Sequence, residues 1–239
     1  MSNYSIKVQN LFKVFDRSLI IDDLSFEIKK EGIFGLLGKN GAGKTTLLGM
    51  LMGLITPTSG KISIFGMNLQ KEKYRILNIL NFQSPYFDLP KKMTVRQNLV
   101  FYSRLYSIKN IEENLTRLSS ELKLDPLLNK NFGSLSAGQK TRVSLCKSLL
   151  NKPKLLLLDE PTSSLDPETS IFIRNYLIKY QQKNNATILL ASHNLSEIEN
   201  LCSGIIILRL GKIIAQGKLN DLLKIKNYSS VQELFLGEG

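Results

Sequence analysis

The spacing of apolar residues changes along the chain, and each spacing predicts a different kind of element. The first part carries short apolar runs bounded by Gly or Asp, namely SIKVQ, SLIIDDLSFEI, GIFGLLG and GKISIFG. Runs of this kind predict strands, here a small antiparallel sheet abutting a main sheet. Between them TTLLGMLMGL reads as an apolar helix that starts directly after a glycine-rich loop.

From about residue 88 to 134 the pattern becomes helical with polar faces. Thr94-Val95-Arg96-Gln97 and Asn110-Ile111-Glu112-Glu113 both have the form of a capping box, which predicts helix starts before QNLVFYSRLY and ENLTRLSSELKL. An all-helical segment thus interrupts an α/β chain. After it the spacing predicts a helix over about 136–150, the strand KLLLLD, a helix over about 167–183, the strand ATILLAS and a short helix over about 195–202. The run IIILRLGKIIAQ follows as a hairpin with Gly211 at its turn. Nearly all-apolar strands alternating with helices predict a mostly parallel sheet covered on both faces. The expected fold class is therefore α/β, and residues 1–239 read as one domain with no internal repeat and no low-complexity linker.

Composition adds limits. A chain of 239 residues with 43% hydrophobic and 22% charged residues supports a substantial core and does not suggest disorder. The opening MSNYSIKVQN lacks the apolar stretch of a secretory signal, and the longest apolar runs, LLLL and IIIL, cannot span a bilayer. A cytoplasmic protein, peripheral at most, is expected. Cys146 and Cys202 both fall in segments read as helices, with no metal-ligand spacing, and are expected as reduced, buried thiols. The net charge of +12 suits an anionic partner such as nucleic acid, anionic lipid or a nucleotide. The lysines are spread out, however, so solvated faces explain the charge at least as well as a nucleic-acid surface, and no nucleic-acid partner is expected.

Candidate chemistry begins at Gly38-Lys39-Asn40-Gly41-Ala42-Gly43-Lys44-Thr45, which fits GxxxxGK[ST] between a predicted strand and a predicted helix. Glycines let backbone N–H groups curl around phosphate oxygens, and the helix points its positive end at them. Lys44 places a charge on the β- and γ-phosphates, and the Thr45 hydroxyl can ligate Mg²⁺. An acid to hold that metal stands at the end of Leu155-Leu156-Leu157-Leu158-Asp159, and the next residue, Glu160, could polarise the attacking water. In an open parallel sheet the carboxyl ends of the strands share one edge, so Asp159 and the phosphate loop should meet there. His193, in LLASHNL, is the single histidine; a lone histidine is more often packed in a core or idle on a surface than a working group.

Leu135-Ser136-Ala137-Gly138-Gln139 is similar to the LSGGQ signature of ATP-binding cassette (ABC) transporter nucleotide-binding subunits, and it precedes KTRVSLCKSLLNKPKLLLLDEPTSSLDP in the order that this family shows. Ala137 departs from the pattern by replacing the first glycine. If Ser136 is the N-cap, Ala137 occupies the first helical position, where alanine is as suitable as glycine. The resemblance covers nearly the whole chain. It implies a P-loop NTPase core with an N-terminal antiparallel β-subdomain and an inserted all-helical subdomain. It implies ATP on Phe15, Gly38, Asn40, Gly41, Ala42, Gly43, Lys44, Thr45 and Thr46, with Phe15 stacking on adenine. The metal would be held by Thr45, Gln83 and Asp159. Glu160, His193 and Gln83 would act in hydrolysis, with His193 as the switch histidine and Gln83 as the Q-loop glutamine.

The same resemblance implies two nucleotide-binding domains packed head to tail. Ser136, Ala137, Gly138 and Gln139 would then meet ATP bound to the partner, and Ser164-Leu165-Asp166 would form the D-loop. The helical segment would dock on a membrane permease encoded by another chain, from the cytoplasmic face. VQELFLGEG resembles the closing segment of the branch that exports drugs, lipids or polysaccharides. Two other readings compete with a transport ATPase. One is a soluble ABC ATPase acting on ribosomes or DNA, although a tandem cassette or long coiled-coil insertion is missing here. The other is a regulatory module without hydrolysis, against which Glu160 and His193 argue.

Overall fold

The computed structural model describes residues 3–85, 88–163, 165–226 and 228–237. In chain order the elements are β1 (Tyr4–Phe15), β2 (Ser18–Lys29), β3 (Gly32–Leu37), α1 (Lys44–Leu51), β4 (Ser59–Ile64), β5 (Met67–Asn68), α2 (Lys73–Leu77) and β6 (Leu80–Gln83). They continue with α3 (Val95–Leu105), α4 (Ile111–Glu121), α5 (Ala137–Leu149), β7 (Leu155–Asp159), α6 (Pro167–Asn184), β8 (Thr187–Ala191), α7 (Leu195–Leu201), β9 (Gly204–Arg209), β10 (Lys212–Lys218), α8 (Leu219–Lys226) and α9 (Val231–Gly237).

Two sheets form. The smaller is antiparallel with order β2-β1-β4-β5, and the larger has order β10-β9-β3-β8-β7-β6. In the larger sheet β9, β3, β8, β7 and β6 pair in parallel and β10 closes one edge antiparallel to β9. The α/β class expected from the spacing is thus present. GIFGLLG is not part of the antiparallel sheet but lies within the main one, as β3.

Alternation along the strands decides which layer each side chain joins, because successive residues point to opposite faces. Leu36, Leu155, Leu157, Leu189, Ala191, Ile206 and Leu208 join α1 and the antiparallel sheet in one core. Leu156, Leu158, Ile188, Leu190, Ile205 and Ile207 join α3 to α7 in the other. Helix α7 lies so close to β3 that a Cβ built on Gly35 would stand 2.8 Å from Ile198 Cδ1. This packing brings the loop before α7 to the end of the sheet.

The helix ends test the capping readings. Thr94 Oγ1 accepts from the Gln97 N–H at 3.1 Å and Gln97 Oε1 accepts from the Thr94 N–H at 2.8 Å, a complete capping box. Asn110 also precedes a helix, yet its side chain accepts no backbone bond. Its amide donates instead to Glu113 Oε2 at 3.1 Å, so the second expected box is absent. Cys202 likewise falls one residue past α7 rather than inside it, as the residue that ends the helix. Both cysteines are free and buried. Burial pushes the Cys146 thiol up to about 12.

The contrast between the two helix starts is measurable. Thr94→Ala is expected to cost about 1 kcal/mol in urea unfolding. Asn110→Ala should cost only a few tenths, roughly the helix-propensity scale. Equal losses would mean that Asn110 caps after all.

Candidate active site

The phosphate loop runs from β3 into α1 on a backbone that few residues tolerate. Gly41 and Gly43 have φ of 82° and 104°, in the left-handed region open to glycine. At Gly43 a Cβ would also stand 2.7 Å from Ile21 Cδ1, so space and conformation both require glycine. The Lys44 ammonium turns back into the loop and donates to the Gly38 carbonyl at 2.6 Å. Burial holds its pKa below the ordinary lysine value, against the pull of the Glu160 and Asp159 carboxylates. Thr45 and Thr46 follow in the first turn of α1; in the loop itself Asn40 is exposed and Ala42 is buried.

A second support for this loop was not visible in the sequence. The β9–β10 turn places Gly211 so that its N–H donates to the Ala42 carbonyl at 3.1 Å, while its own carbonyl accepts from the Asp22 N–H at 3.0 Å. A Cβ on Gly211 would meet the Ile20 carbonyl oxygen at 2.4 Å. The hairpin glycine therefore also buttresses the phosphate loop. No local signal announces this, because the partners are distant in the chain.

Strands β7 and β8 deliver the acids and the histidine. Asp159, only 3% exposed, ends β7 opposite Ala191 of β8. Burial first, and then the adjacent Glu160 charge, push its carboxyl above the usual range, while Lys44 and the Ser84 hydroxyl act the other way. Glu160 has φ 50° and donates its N–H to the Ala191 carbonyl at 2.8 Å. This left-handed turn redirects its side chain from the strand line. His193 Nδ1 lies 2.7 Å from Glu160 Oε1, with the histidine side chain 66% and the glutamate 12% exposed.

Gln83 ends β6 opposite Leu158, so its side chain lies on the other face of the sheet from Asp159. It lines a cavity of about 210 Å³ together with Leu54, Ser84, Tyr102 and Lys147, and its Oε1 is buried with no hydrogen-bond partner among the described residues. The next residue, Ser84, which sequence reasoning passed over, makes the contact with Asp159, its Oγ lying 3.5 Å from Oδ2. Lys147 lies in the same groove with its ammonium 5.3 Å from the Tyr102 ring and 5.9 Å from the Tyr106 ring.

The remaining candidate residues lie elsewhere. Phe15 ends β1 with 42% exposure, so it is not a core residue, and its ring is covered on one side by the Lys13 ammonium at 4.4 Å. Ser136 is the N-cap of α5 in a capping box, accepting from the Gln139 N–H at 3.3 Å while Gln139 Oε1 accepts from the Ser136 N–H at 3.1 Å. Ala137 is the first residue of α5. Gly138 packs against the start of α6: a Cβ there would stand 3.3 Å from Thr169 Cγ2 and 3.7 Å from Asp166 Oδ2. Asp166 caps α6 by accepting from the Thr169 N–H at 2.8 Å, and this bond holds its carboxyl below the ordinary value. Ser164 lies outside the described residues.

A glycine-bearing loop opening a helix, with an acid pair and a histidine on the neighbouring strand ends of one parallel sheet, defines a P-loop nucleotide-binding protein. The family profile described as "ABC transporter" matches residues 21–163. The chain is 33% identical to "Nod factor export ATP-binding protein I" of Rhizobium johnstonii, over 100% of this chain and 77% of that protein. It is 36% identical to "Bacitracin transport ATP-binding protein BcrA" of Bacillus licheniformis, over 92% of this chain and 71% of that one. A solved "ATP binding subunit of ABC transporter" superposes with a TM-score of 0.90 at 26% identity, covering 98% of both chains. The structure of cbiO1 from Clostridium perfringens, "part of the ABC transporter complex cbiONQ", superposes with 0.82 at 27% identity, covering 94% of this chain and 92% of that one. The chain belongs to the ABC transporter family. It is an ATP-binding subunit, an ATPase coupled to transport, and the ribosomal or DNA reading is set aside.

Burial pushes the Lys147 pKa down from 10.5 to about 8. Between those values the unfolded chain binds more protons than the folded one, so this residue makes stability rise with pH. Wild type should therefore gain stability relative to Lys147→Met between about pH 7.5 and pH 9.5 in urea unfolding. A constant difference would mean that Lys147 keeps an ordinary pKa in the groove.

Proposed function

We propose that this subunit hydrolyses ATP at the carboxyl edge of the main sheet and that the transporter it drives is an exporter. The observation that carries the catalytic part is the 2.7 Å pair of Glu160 and His193 at that edge, beside the strand end that opens the phosphate loop. The export direction is supported by the relative named for Nod factor export.

In this reading the N–H groups of Gly41 to Thr46 cradle the phosphates. Lys44 exchanges its bond to the Gly38 carbonyl for phosphate oxygens, and Phe15 offers its free ring face to adenine. The residues present also fit a magnesium ion. Asp159 is a buried carboxylate without a full counter-charge and Thr45 adds a hydroxyl, whereas Gln83, with its orphaned Oε1 on the other face of the sheet, would reach the same ion only if the end of β6 shifted. No cluster of three or more His, Cys, Asp and Glu side chains is found among the described residues, so phosphate oxygens would complete the metal's coordination. Magnesium there supplies charge neutralisation at the β- and γ-phosphates.

Glu160 accepts a proton from the attacking water. His193 holds the γ-phosphate and orders that water. With Nδ1 donating to Glu160, a neutral ring offers a lone pair at Nε2; a doubly protonated ring, or one released from Glu160, donates to phosphate. Catalysis is then placement and charge stabilisation, with no covalent intermediate on the protein.

The wider assembly follows the same reading. A second nucleotide-binding domain supplies Ser136 to Gln139 in trans, and the free N–H groups at the start of α5, with the Ser136 hydroxyl, suit a γ-phosphate. Asp166 joins that interface beside Gly138. Residues 1–239 act as one ATPase unit whose helical segment, about 88–134, docks on a permease in a separate chain. In this reading the permease supplies the membrane-spanning path and this chain sits against it from the cytoplasmic face; no helix among the described residues is long and apolar enough to cross a membrane. Gln83, in the groove below α3, links the nucleotide to the docking surface.

Glu160→Gln is expected to retain ATP binding, to lower kcat about 10²- to 10⁴-fold and to yield a stable ATP-bound dimer by size exclusion. Normal turnover would remove Glu160 from the role of base. Lys44→Ala should weaken ATP binding by more than about tenfold in a fluorescent-nucleotide titration. Unchanged affinity would contradict the phosphate-loop reading.

A further inference from the structure

One buried carboxylate beside the site takes no part in these steps. Glu197 lies in the first turn of α7, 1% exposed, and its two oxygens reach two different loops. Thr162 Oγ1 donates to Oε1 at 2.6 Å and Ser192 Oγ donates to Oε2 at 2.8 Å. The direction at Ser192 is set because the same oxygen accepts the Asn194 N–H at 3.1 Å, leaving its proton for Glu197. Asn194 in turn caps α7 by accepting the Glu197 N–H at 3.2 Å.

Thr162 stands two residues beyond Glu160, and Ser192 immediately precedes His193. One carboxylate therefore bridges the two loops that each carry half of the Glu160–His193 pair. The backbone does not make this link. The β7–β8 ladder ends with Asp159 opposite Ala191, and the last backbone bond between the loops described there is the Glu160 N–H to Ala191 at 2.8 Å. Beyond it the chain turns through Glu160 at φ 50° toward α6 on one side and through His193 toward α7 on the other.

An acid at this depth is expensive compared with an apolar residue that would pack α7 equally well. Burial pushes the Glu197 carboxyl above its ordinary range, and the Glu160 charge adds to this; the two hydroxyl bonds and Arg174 act in the opposite direction. The hydroxyls of Thr162 and Ser192 would lose their acceptor if Glu197 were replaced by an apolar residue.

We propose that Glu197 is a positioning residue for hydrolysis: by clamping Thr162 to Ser192 it holds Glu160 and His193 within hydrogen-bonding distance. It acts on the chemical step and not on nucleotide binding, since the phosphate loop is shaped by β3, α1 and the β9–β10 turn. The proposal rests on the assignment of Glu160 and His193 to hydrolysis.

The test uses the full chain. Glu197→Ala should lower kcat about tenfold to a hundredfold, the scale of an ångström misplacement, with KM for ATP within about threefold. Glu197→Gln keeps one acceptor for Ser192 while its amide faces Thr162, and should recover part of the loss. His193 is the only histidine, so its imidazole NMR signals report the pair without any ATP present. Glu160→Gln should shift those signals in the wild-type background and leave them unmoved in the Glu197→Ala background.

If Glu197→Ala does not fold, Thr162→Val and Ser192→Ala each delete one arm and are scored in the same way. An unchanged kcat overturns the proposal. So does a kcat that falls together with thermal stability while the imidazole still responds to Glu160→Gln, because Glu197 is then a structural residue. Full turnover in Glu160→Gln alone would instead remove the underlying catalytic assignment, and the imidazole signals would still decide whether the clamp exists.

Discussion

Strands of a parallel sheet all end on the same edge, and here β8 lies between β3 and β7, so three loops leave that edge side by side. The register makes the alignment tight: Ala191 stands opposite Leu36 on one side and opposite Asp159 on the other. Within one or two residues of that line each strand gives way to a turn, and those turns hold the phosphate loop, Glu160 and His193. A slip of one position in β7 would move Asp159 to the opposite face, into the core shared with α5 and α6. Alternating leucines in β7, all fully buried, resist that slip by committing each face to a different core.

The same edge concentrates charge that the protein's own groups accommodate incompletely. Lys44, Asp159 and Glu160 share a partly desolvated space, and burial disfavours the charged forms of both Lys44 and Asp159. The lysine spends its hydrogen bonds on loop carbonyls and the two acids repel each other. Triphosphate oxygens beside Lys44 would relieve the first problem, and a divalent cation beside Asp159 the second. In the proposed reading, binding energy and catalytic arrangement come from one electrostatic imbalance. The clamp at Glu197 belongs to the same economy of space, since it sets the geometry of the pair without adding a further charge to the surface of the site.

How far the chain could be read depended on distance along it. The phosphate loop, the acids after four leucines and the Ser136 box are legible because each involves residues within one or two turns. Even there, local pattern has limits. Asn110 and Thr94 have similar sequence surroundings, yet Asn110 has ψ 70° where Thr94 has 163°, and its amide turns to Glu113. Ser84 with Asp159, 75 residues apart, and Thr162 with Glu197, 35 apart, gave no local signal. Gly211 was read correctly as a hairpin turn, but its service to Ala42 depends on how the hairpin docks.

The sequence by itself therefore determined which chemistry is carried and which elements carry it: a glycine-rich phosphate loop, two acids, a histidine, a capped signature helix, and strands whose alternation commits them to two cores. These follow from backbone sterics and from the hydrophobic period, which act over a few residues. Only the tertiary structure decided that Ser84 and not Gln83 meets Asp159, that Gly211 supports the phosphate loop, and that Glu197 ties the loops of Glu160 and His193 together. Those contacts exist because strand order and helix packing bring remote segments to one edge, where burial makes each polar group take whatever partner is within reach.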